Sequence, residues 1–298
     1  MPPSDELAYD VVDVFADAAF AGNQLAVVHG TDGLTDAQLL ALTREFGFSE
    51  TTFPSRGDGE GDRYRVRIFT PGGEIPFAGH PTLGTAWVLR SGGRLTGAAA
   101  MQECGAGEIG VRFDEDLVEL SAAARDLSGP LPDDVVARLL ADLDLTPDDR
   151  TGEAWVAGAG LNFVHLPVRA EAVGSARAGH THTPVSEMVT GLVLEDPLEG
   201  VNLYALAGHS VRARVFVPGL SVPEDPATGS AAAGLGMALV ARDVLPDGGR
   251  YEITQGVEMG RPSRLFGRVD AELGVPTRCH VAGRVFPVAR GTIAVPAS

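Results

Sequence analysis

One long internal repeat constrains the fold of this chain more than any other feature of its sequence. Residues 65–76 and 212–223 both follow the pattern Arg-x-Arg-[Ile/Val]-Phe-x-Pro-Gly-x-x-[Ile/Val]-Pro. After a two-residue difference in length, residues 80–86 align with residues 225–231. Pro-Gly turns are common in unrelated loops, but they do not explain the matching arginines and phenylalanines. Because the period is far too long for a solenoid, we interpret the repeat as a single duplication that gives two similar domains.

Short strand patterns separated by turns dominate both halves of the sequence. The chain has 38 glycines and 20 prolines, and only 6% of its residues are aromatic, which favours sheets with many tight turns over a helical bundle. Each repeat is followed by a predicted helix, over residues 81–89 and 227–241. The sequence therefore predicts an α+β fold with two pseudo-symmetric halves. We place them at residues 1–127 and 128–285, with residues 286–298 packing back on the first half.

A carboxylic acid lies in an apolar segment of the first half. Glu50 stands between Phe48 and Phe53, just after a helix that the capping pair Thr35 and Gln38 and the stop residue Gly47 predict. Burial raises the pKa of a carboxyl group, which suits it to take up and return protons near neutral pH. A glutamate at a strand edge that points into water is an equally good interpretation of the same pattern.

Each repeat ends in a dipeptide that can begin a helix, His80-Pro81 or Asp225-Pro226. Proline suits the first helical position, so we predict that His80 and Asp225 are N-caps. A plain capping aspartate and a loop histidine are the alternatives, and the matched placement favours a functional role. Two helix starts that face one pocket would bind a carboxylate and stabilise a developing enolate. The small residues that leave these starts open are Thr82, Gly84, Thr85, Ala227, Thr228, Gly229 and Ser230.

The composition argues against several classes of partner. A formal net charge of −17 disfavours nucleic acids and anionic membrane surfaces. No apolar run approaches the ~20 residues that span a bilayer, and no signal-peptide pattern opens the chain, so we predict a cytoplasmic protein. Cys104 and Cys279 are too few for a disulfide framework. His180 and His182 suggest a metal pair, but no nearby carboxylate or cysteine completes a ligand set, so we expect no metal.

Five motifs, in order over nearly the whole chain, carry a resemblance to a known family. They are Phe-Ala-Gly-Asn, Phe-Ser-Glu-Thr-Thr-Phe, Phe-Ala-Gly-His-Pro-Thr-Leu-Gly, Glu-Asp-Pro-Ala-Thr-Gly-Ser-Ala and Gln-Gly-Val-Glu-Met-Gly-Arg-Pro-Ser, at residues 20–23, 48–53, 77–84, 224–231 and 255–263. The first contains a Gly-Asn pair before an apolar strand, which Gly-Leu-Asn at residues 160–162 repeats more weakly. On these motifs the sequence resembles the phenazine-biosynthesis isomerase-like (PhzF-like) family of the diaminopimelate epimerase-like superfamily.

The resemblance implies both an architecture and a set of site residues. Each half would wrap a curved, mostly antiparallel sheet or barrel around a central helix, with the active site between the halves. The resemblance further implies an isomerase that acts on a small anionic substrate, forms a homodimer and uses no cofactor or metal. Glu50 would move a proton between carbons, and His80 and Asp225 would hydrogen-bond to the substrate. The residues that would hold the substrate through backbone and hydroxyl groups are Gly79, Gly229 and Ser230.

Two other functions are open at this point. A related epimerase or racemase would use two opposed cysteines at the helix starts, whereas Cys104 and Cys279 lie elsewhere in the sequence. A small-molecule binding protein without catalysis would not need the complete set of Glu50, His80 and Asp225. We therefore predict proton transfer by a single glutamate on a small unsaturated amino or hydroxy acid.

Overall fold

The structure is a computed structural model that describes residues 6–58, 60–178, 183–218 and 223–297. It divides into two compact units. Unit 1 extends to Leu120 and resumes at Ala282, and unit 2 runs from Ser121 to Val281, whereas the sequence placed the boundaries after residues 127 and 285. No helix of the described residues is long and apolar enough to cross a membrane.

The described residues form short strands, two long helices and several shorter ones. In chain order the elements are β1 (Glu6–Val14), β2 (Asn23–Val28), α1 (Asp36–Phe46), β3 (Thr51–Arg56), β4 (Arg63–Thr70), β5 (Gly73–Ile75), α2 (Gly79–Ser91), β6 (Ala99–Cys104), β7 (Gly107–Asp114), β8 (Leu117–Ala123), β9 (Asp126–Ser128), α3 (Asp133–Asp142), β10 (Trp155–Gly158), β11 (Asn162–Pro167), α4 (Ala170–Ser175), α5 (Val185–Met188), β12 (Leu198–Ala207), β13 (Ser210–Phe216), β14 (Glu224–Asp225), α6 (Gly229–Ala241), β15 (Gly248–Gln255), β16 (Ser263–Glu272), β17 (Val275–Gly283) and β18 (Val285–Ala294).

The strand pairings of the two units match one by one. In unit 1, β1–β2, β3–β4, β4–β5 and β6–β7 are antiparallel, while β2–β3 and β4–β6 are parallel. In unit 2, β10–β11, β12–β13, β13–β14 and β15–β16 are antiparallel, while β11–β12 and β13–β15 are parallel. The outer strands correspond as well, because β18 runs antiparallel to β1 and β9 runs antiparallel to β10. The predicted α+β fold with two duplicated, mostly antiparallel halves is confirmed.

The strand register corrects the alignment of the two repeats. Ile68 of β4 pairs with Ile75 of β5, and Val215 of β13 pairs with Asp225 of β14. Ile68 and Val215 occupy the same place in the repeat. The connection between the two paired strands is therefore three residues longer in unit 2 than in unit 1, whereas the sequence alignment implied that it is two residues shorter. Residues 219–222 of this connection lie outside the described residues. Asp225 therefore corresponds to Ile75, not to His80.

Both long helices begin at a glycine, and the N-cap residue before each glycine makes no side-chain capping hydrogen bond. The helices α2 and α6 have 13 residues each, and their N-caps are Ala78 and Thr228, neither of which makes a side-chain capping hydrogen bond. Gly79 and Gly229 are then equivalent first residues. The second residues of the two helices, His80 and Ser230, are equivalent in the same way.

The prediction that His80 and Asp225 are N-caps is wrong. His80 lies inside α2, and Pro81 follows it as the third helical residue. The first N–H groups of a helix all lack an intrahelical partner, so a proline fits anywhere in the first turn and does not mark its first position. Asp225 belongs to the short strand β14, and Pro226 follows it before the helix begins.

The long helices are central to their units. Helix α2 packs against β1, β2, β3, β6, β7 and β18, and α6 packs against β10, β11, β15 and β16. A helix that is apolar on all sides is typical of a buried position. The equivalent residues Gly84 and Gly234 allow the sheet to approach closely. A Cβ at Gly84 would lie 2.6 Å from Cδ2 of Leu25, and one at Gly234 would lie 2.6 Å from the carbonyl oxygen of Ala157.

We expect Gly234→Ala to destabilise the protein by about 1 kcal/mol. Overpacking costs about 1–3 kcal/mol, and a backbone oxygen cannot rotate away, so the loss exceeds the gain of about 1 kcal/mol in helix propensity. Urea denaturation of the two variants Gly234→Ala and Gly110→Ala measures the difference. Gly110 is the control, because a Cβ there would have no other atom within 4 Å. Equal unfolding midpoints for the two variants would contradict the close approach.

Candidate active site

Glu50 lies in the loop directly before β3, which begins at Thr51. Glu50 is thus the last residue before the strand within the Phe-Ser-Glu-Thr-Thr-Phe motif. Its side chain is 17% exposed, so the interpretation as a strand-edge glutamate pointing into water is wrong. Loss of solvation on burial raises the pKa of the Glu50 carboxyl above its ordinary value, and a hydrogen bond with the Ser49 hydroxyl opposes part of that rise.

His80 brings an imidazole ring to this carboxyl group. Its Nε2 lies 3.5 Å from Oε2 of Glu50, and its side chain is only 6% exposed. The two residues meet because α2, which carries His80 in its first turn, packs against β3, which follows Glu50. Unit 1 thus places a partly buried acid beside a buried imidazole, and Gly79 lies next to His80 in the same helical turn.

Asn23, to which the sequence motifs give no catalytic or binding role, contacts the same group of residues. Its Nδ2 lies 3.3 Å from Nδ1 of His80, and its Oδ1 lies 3.5 Å from Oγ of Ser49. The Gly-Asn pair before an apolar strand was the available signal, since Asn23 and Asn162 begin the equivalent strands β2 and β11. A sequence pattern shows that the two are equivalent, but it does not show what either side chain contacts.

The carboxylate of Asp225 is oriented by hydrogen bonds within unit 2. Thr228 donates its hydroxyl hydrogen to Oδ2 of Asp225 over 2.6 Å. Nε2 of Gln255 donates to the Asp225 carbonyl oxygen at 2.7 Å and to Oγ1 of Thr228 at 3.1 Å, while Oε1 of Gln255 accepts from the Thr228 N–H at 3.3 Å. Gln255 is 2% exposed. Shielding from water strengthens such a network, which fixes Asp225 beside the start of α6.

Gly256 allows the Gln255 side chain to reach this loop. Its φ of +72° lies in the left-handed region, which glycine adopts without the steric cost of a Cβ. A Cβ there would lie 2.4 Å from the Arg261 carbonyl oxygen and 2.6 Å from that of Pro226. The Gln-Gly pair of the fifth motif is therefore explained by packing around Asp225.

The first turns of α2 and α6 present backbone N–H groups without a side-chain cap. These groups have no intrahelical acceptor, and the helix dipole adds about half a positive charge at each N-terminus. Gly79 and Gly229 have no side chain to cover the helix start, and Ser230 adds a hydroxyl group beside it. Each helix start can therefore bind a carboxylate or another anionic group.

Neither a metal centre nor a pair of catalytic thiols is found in the described residues. No group of three or more potential metal ligands occurs among them, and His180 and His182 lie outside them. Cys104 belongs to β6 and Cys279 to β17, so neither lies in the first turn of a long helix. Burial raises the pKa of the Cys279 thiol to about 12, which disfavours a thiolate base.

Comparisons with known proteins cover almost the entire chain. Residues 12–291 match the model of PhzC-PhzF, described as phenazine biosynthesis-like protein. The trans-2,3-dihydro-3-hydroxyanthranilate isomerase of Pseudomonas chlororaphis is 35% identical, over 96% of this chain and 98% of its own length. A crystal structure of a PhzF-family phenazine biosynthesis protein from Bacillus anthracis has a TM-score of 0.84 at 20% identity and covers 97% of this chain and 99% of its own. A predicted epimerase from Pseudomonas aeruginosa has a TM-score of 0.80 at 29% identity and covers 98% and 100%.

Proposed function

The chain belongs to the PhzC-PhzF family of phenazine biosynthesis-like proteins and is an isomerase, and we propose that it moves a proton between two carbons of a small unsaturated amino or hydroxy acid. Glu50 is the single acid and base in this proposal. The observation that supports it most is the setting of Glu50, a carboxyl group 17% exposed and 3.5 Å from the imidazole of His80.

The proposed reaction begins with an ionised Glu50. The carboxylate removes a proton from a carbon next to an unsaturated system, and the electron pair of the broken C–H bond delocalises into the substrate. Glu50, now a carboxylic acid, returns the proton to a different carbon of the same molecule. A raised pKa makes the carboxylate a stronger base for the first step, and the resulting carboxylic acid can still return the proton in the second. The substrate gains and loses no atoms or electrons overall.

The other site residues bind the substrate and stabilise the delocalised charge. We assign hydrogen bonds with its polar groups to His80 and Asp225. The amides that follow Gly79 and Gly229, with the hydroxyl of Ser230, would hold its carboxylate and the developing negative charge. As the family resemblance implies, we further propose a homodimeric enzyme that uses no cofactor or metal.

The first compound to test is trans-2,3-dihydro-3-hydroxyanthranilate, the substrate in the name of the Pseudomonas chlororaphis relative. It is a small unsaturated amino acid with a hydroxyl group and so belongs to the proposed class. We expect the purified chain to convert it in D₂O, with conversion followed by proton NMR and deuterium in the product measured by mass spectrometry. Saturable binding of this compound and related unsaturated acids, without conversion or deuterium uptake, would support a binding protein instead.

Thr228→Val tests the orientation of Asp225. Valine has nearly the shape of threonine but cannot donate a hydrogen bond to the carboxylate. A hydrogen bond to a charged group contributes about 1.5–3 kcal/mol, so we expect the conversion rate to fall by about 10- to 100-fold. Thr228→Ser restores the hydroxyl and should recover most of the rate. Equal rates for the valine and serine variants would rule out this role of the hydroxyl.

A further inference from the structure

The ring of His80 lies between an amide and a carboxyl group. On one side, Nδ2 of Asn23 lies 3.3 Å from Nδ1 of the ring. On the other side, Oε2 of Glu50 lies 3.5 Å from Nε2 of the ring. Asn23 is 3% exposed and His80 is 5% exposed, so water has little access to this arrangement. These two contacts bear on which ring nitrogen carries the hydrogen.

The chemistry of these neighbours selects one tautomer. A neutral histidine has one N–H and one ring nitrogen that accepts. An ionised carboxylate only accepts, so Nε2 must carry the hydrogen when Glu50 is ionised. Nδ1 must then accept, and the NH₂ group of Asn23 is placed to donate to it. We propose that Asn23 is a positioning residue that holds His80 in the Nε2–H tautomer, so that this hydrogen faces the site and can be donated to Glu50 or to a bound substrate. The inference rests on the proposed function in one respect, the need for an ionised Glu50 before proton transfer.

The opposite tautomer would oppose the proposed role of Glu50. The lone pair of Nε2 would then face the carboxyl group and repel it while ionised. Once Glu50 had taken up a proton, this lone pair would accept it in a hydrogen bond and hold it away from the substrate. With hydrogen on Nε2, the imidazole instead stabilises one carboxylate oxygen without adding a full positive charge. The second oxygen stays available for the substrate.

Unit 2 contains a similar asparagine–histidine pair whose tautomer is fixed by the backbone. Nδ1 of His165 lies 3.1 Å from Nδ2 of Asn202, and its Nε2 lies 3.2 Å from the carbonyl oxygen of Ala157. A carbonyl oxygen only accepts, so Nε2 of His165 carries the hydrogen and Asn202 donates to Nδ1. Burial lowers the pKa of His165 to about 4, so its ring is neutral at pH 7. His165 therefore serves as an internal reference for the tautomer that we propose for His80.

Nitrogen-15 NMR of the full chain with labelled histidines tests the proposal directly. The signals of His80 are assigned by their loss in His80→Gln. In the parent protein at pH 7 we expect His80 to show a protonated Nε2 and an unprotonated Nδ1, as His165 does. In Asn23→Asp the new carboxylate can only accept, so we expect Nδ1 of His80 to become protonated. The signals of His165 should not change, which reports that the variant is folded.

Each outcome of this experiment decides the question. A protonated Nδ1 on His80 in the parent protein overturns the proposal, and that spectrum suffices if Asn23→Asp does not fold. An unprotonated Nδ1 in a folded Asn23→Asp variant overturns it as well. The proposed function is tested by a separate measurement, the conversion of substrate by a Glu50 variant. A failure of the tautomer proposal can therefore be told apart from a failure of the proposed function.

Discussion

Glu50→Gln is expected to lower the rate of substrate conversion by about 10²- to 10⁴-fold, the range typical of general acid–base catalysis. Glutamine has nearly the same shape as glutamate and can still contact His80, which lies 3.5 Å from the carboxyl group. It cannot accept a proton from carbon at neutral pH. Substrate binding should therefore persist while conversion and deuterium incorporation are lost. Proton NMR in D₂O measures conversion, and calorimetric titration measures binding.

The same substitution should not weaken the fold. Burial raises the folded-state pKa of Glu50 above its unfolded value, so the folded protein binds this proton more tightly than the unfolded chain does. The stabilisation from the protonated acid is complete below the unfolded pKa and is lost as the pH rises through the folded pKa. Glutamine carries no charge at any pH. In urea denaturation at pH 8, Glu50→Gln should be at least as stable as the parent.

Glu199→Gln is the matched control for this prediction. Glu199 lies in β12 of unit 2, and burial raises the pKa of its carboxyl too. It has no place in the proposed site, so we expect its loss to leave conversion unchanged. Parental activity in Glu50→Gln, or an equal loss in Glu199→Gln, would contradict the assignment of Glu50 as the proton carrier.

Local sequence signals predicted local structure correctly. Thr35 and Gln38 form the expected capping box of α1, and Gly47 ends that helix in the left-handed conformation. These interactions span only a few residues, so the sequence pattern contains them completely. The strand pattern of the repeat also predicted the duplication, because matching residues in two segments impose the same alternation of buried and exposed positions.

The parts of the site that depend on distant contacts were harder to predict. The supposed equivalence of His80 and Asp225 was wrong because a loop of different length separates strand from helix in the two units, and only the strand register reveals it. Asn23 meets His80 across 57 positions of sequence, and Gln255 meets Thr228 across 27. Spacing in a single sequence does not encode such contacts.

The duplication also supplies two equivalent arginines in different surroundings. Arg67 and Arg214 occupy the same place in the repeat, and each lies over the following phenylalanine ring, at 5.1 Å and 4.8 Å from the ring centre. The Arg214 side chain is 7% exposed and that of its partner Glu224 is 14% exposed. The Arg67 side chain is 35% exposed and that of its partner Glu74 is 42% exposed. The two ion pairs therefore differ mainly in burial.

Arg214 makes hydrogen bonds that no smaller side chain can replace. Its Nε and Nη2 donate to the two carboxylate oxygens of Glu224 at 2.7 and 2.8 Å. Its Nη1 donates to the carbonyl oxygens of Val173 and Ala176 at 3.1 and 2.6 Å. Without the guanidinium group, the carboxylate and both carbonyls would remain buried without these donors. Within the part of the chain that the structure describes, the hydrogen bonds of Arg67 go to exposed carboxylates, which water can solvate in its absence.

We expect Arg214→Ala to lower the free energy of unfolding by about 3–5 kcal/mol, the cost of breaking a buried ion pair by removing one partner. Arg67→Ala should cost only about 0–1 kcal/mol, because exposed pairs contribute little. Urea denaturation at pH 7 measures both. Adding Glu224→Gln to Arg214→Ala should recover part of the loss, since it removes the uncompensated buried charge. Equal losses for the two single variants, or no recovery in the double variant, would show that burial of the ion pair does not determine its contribution.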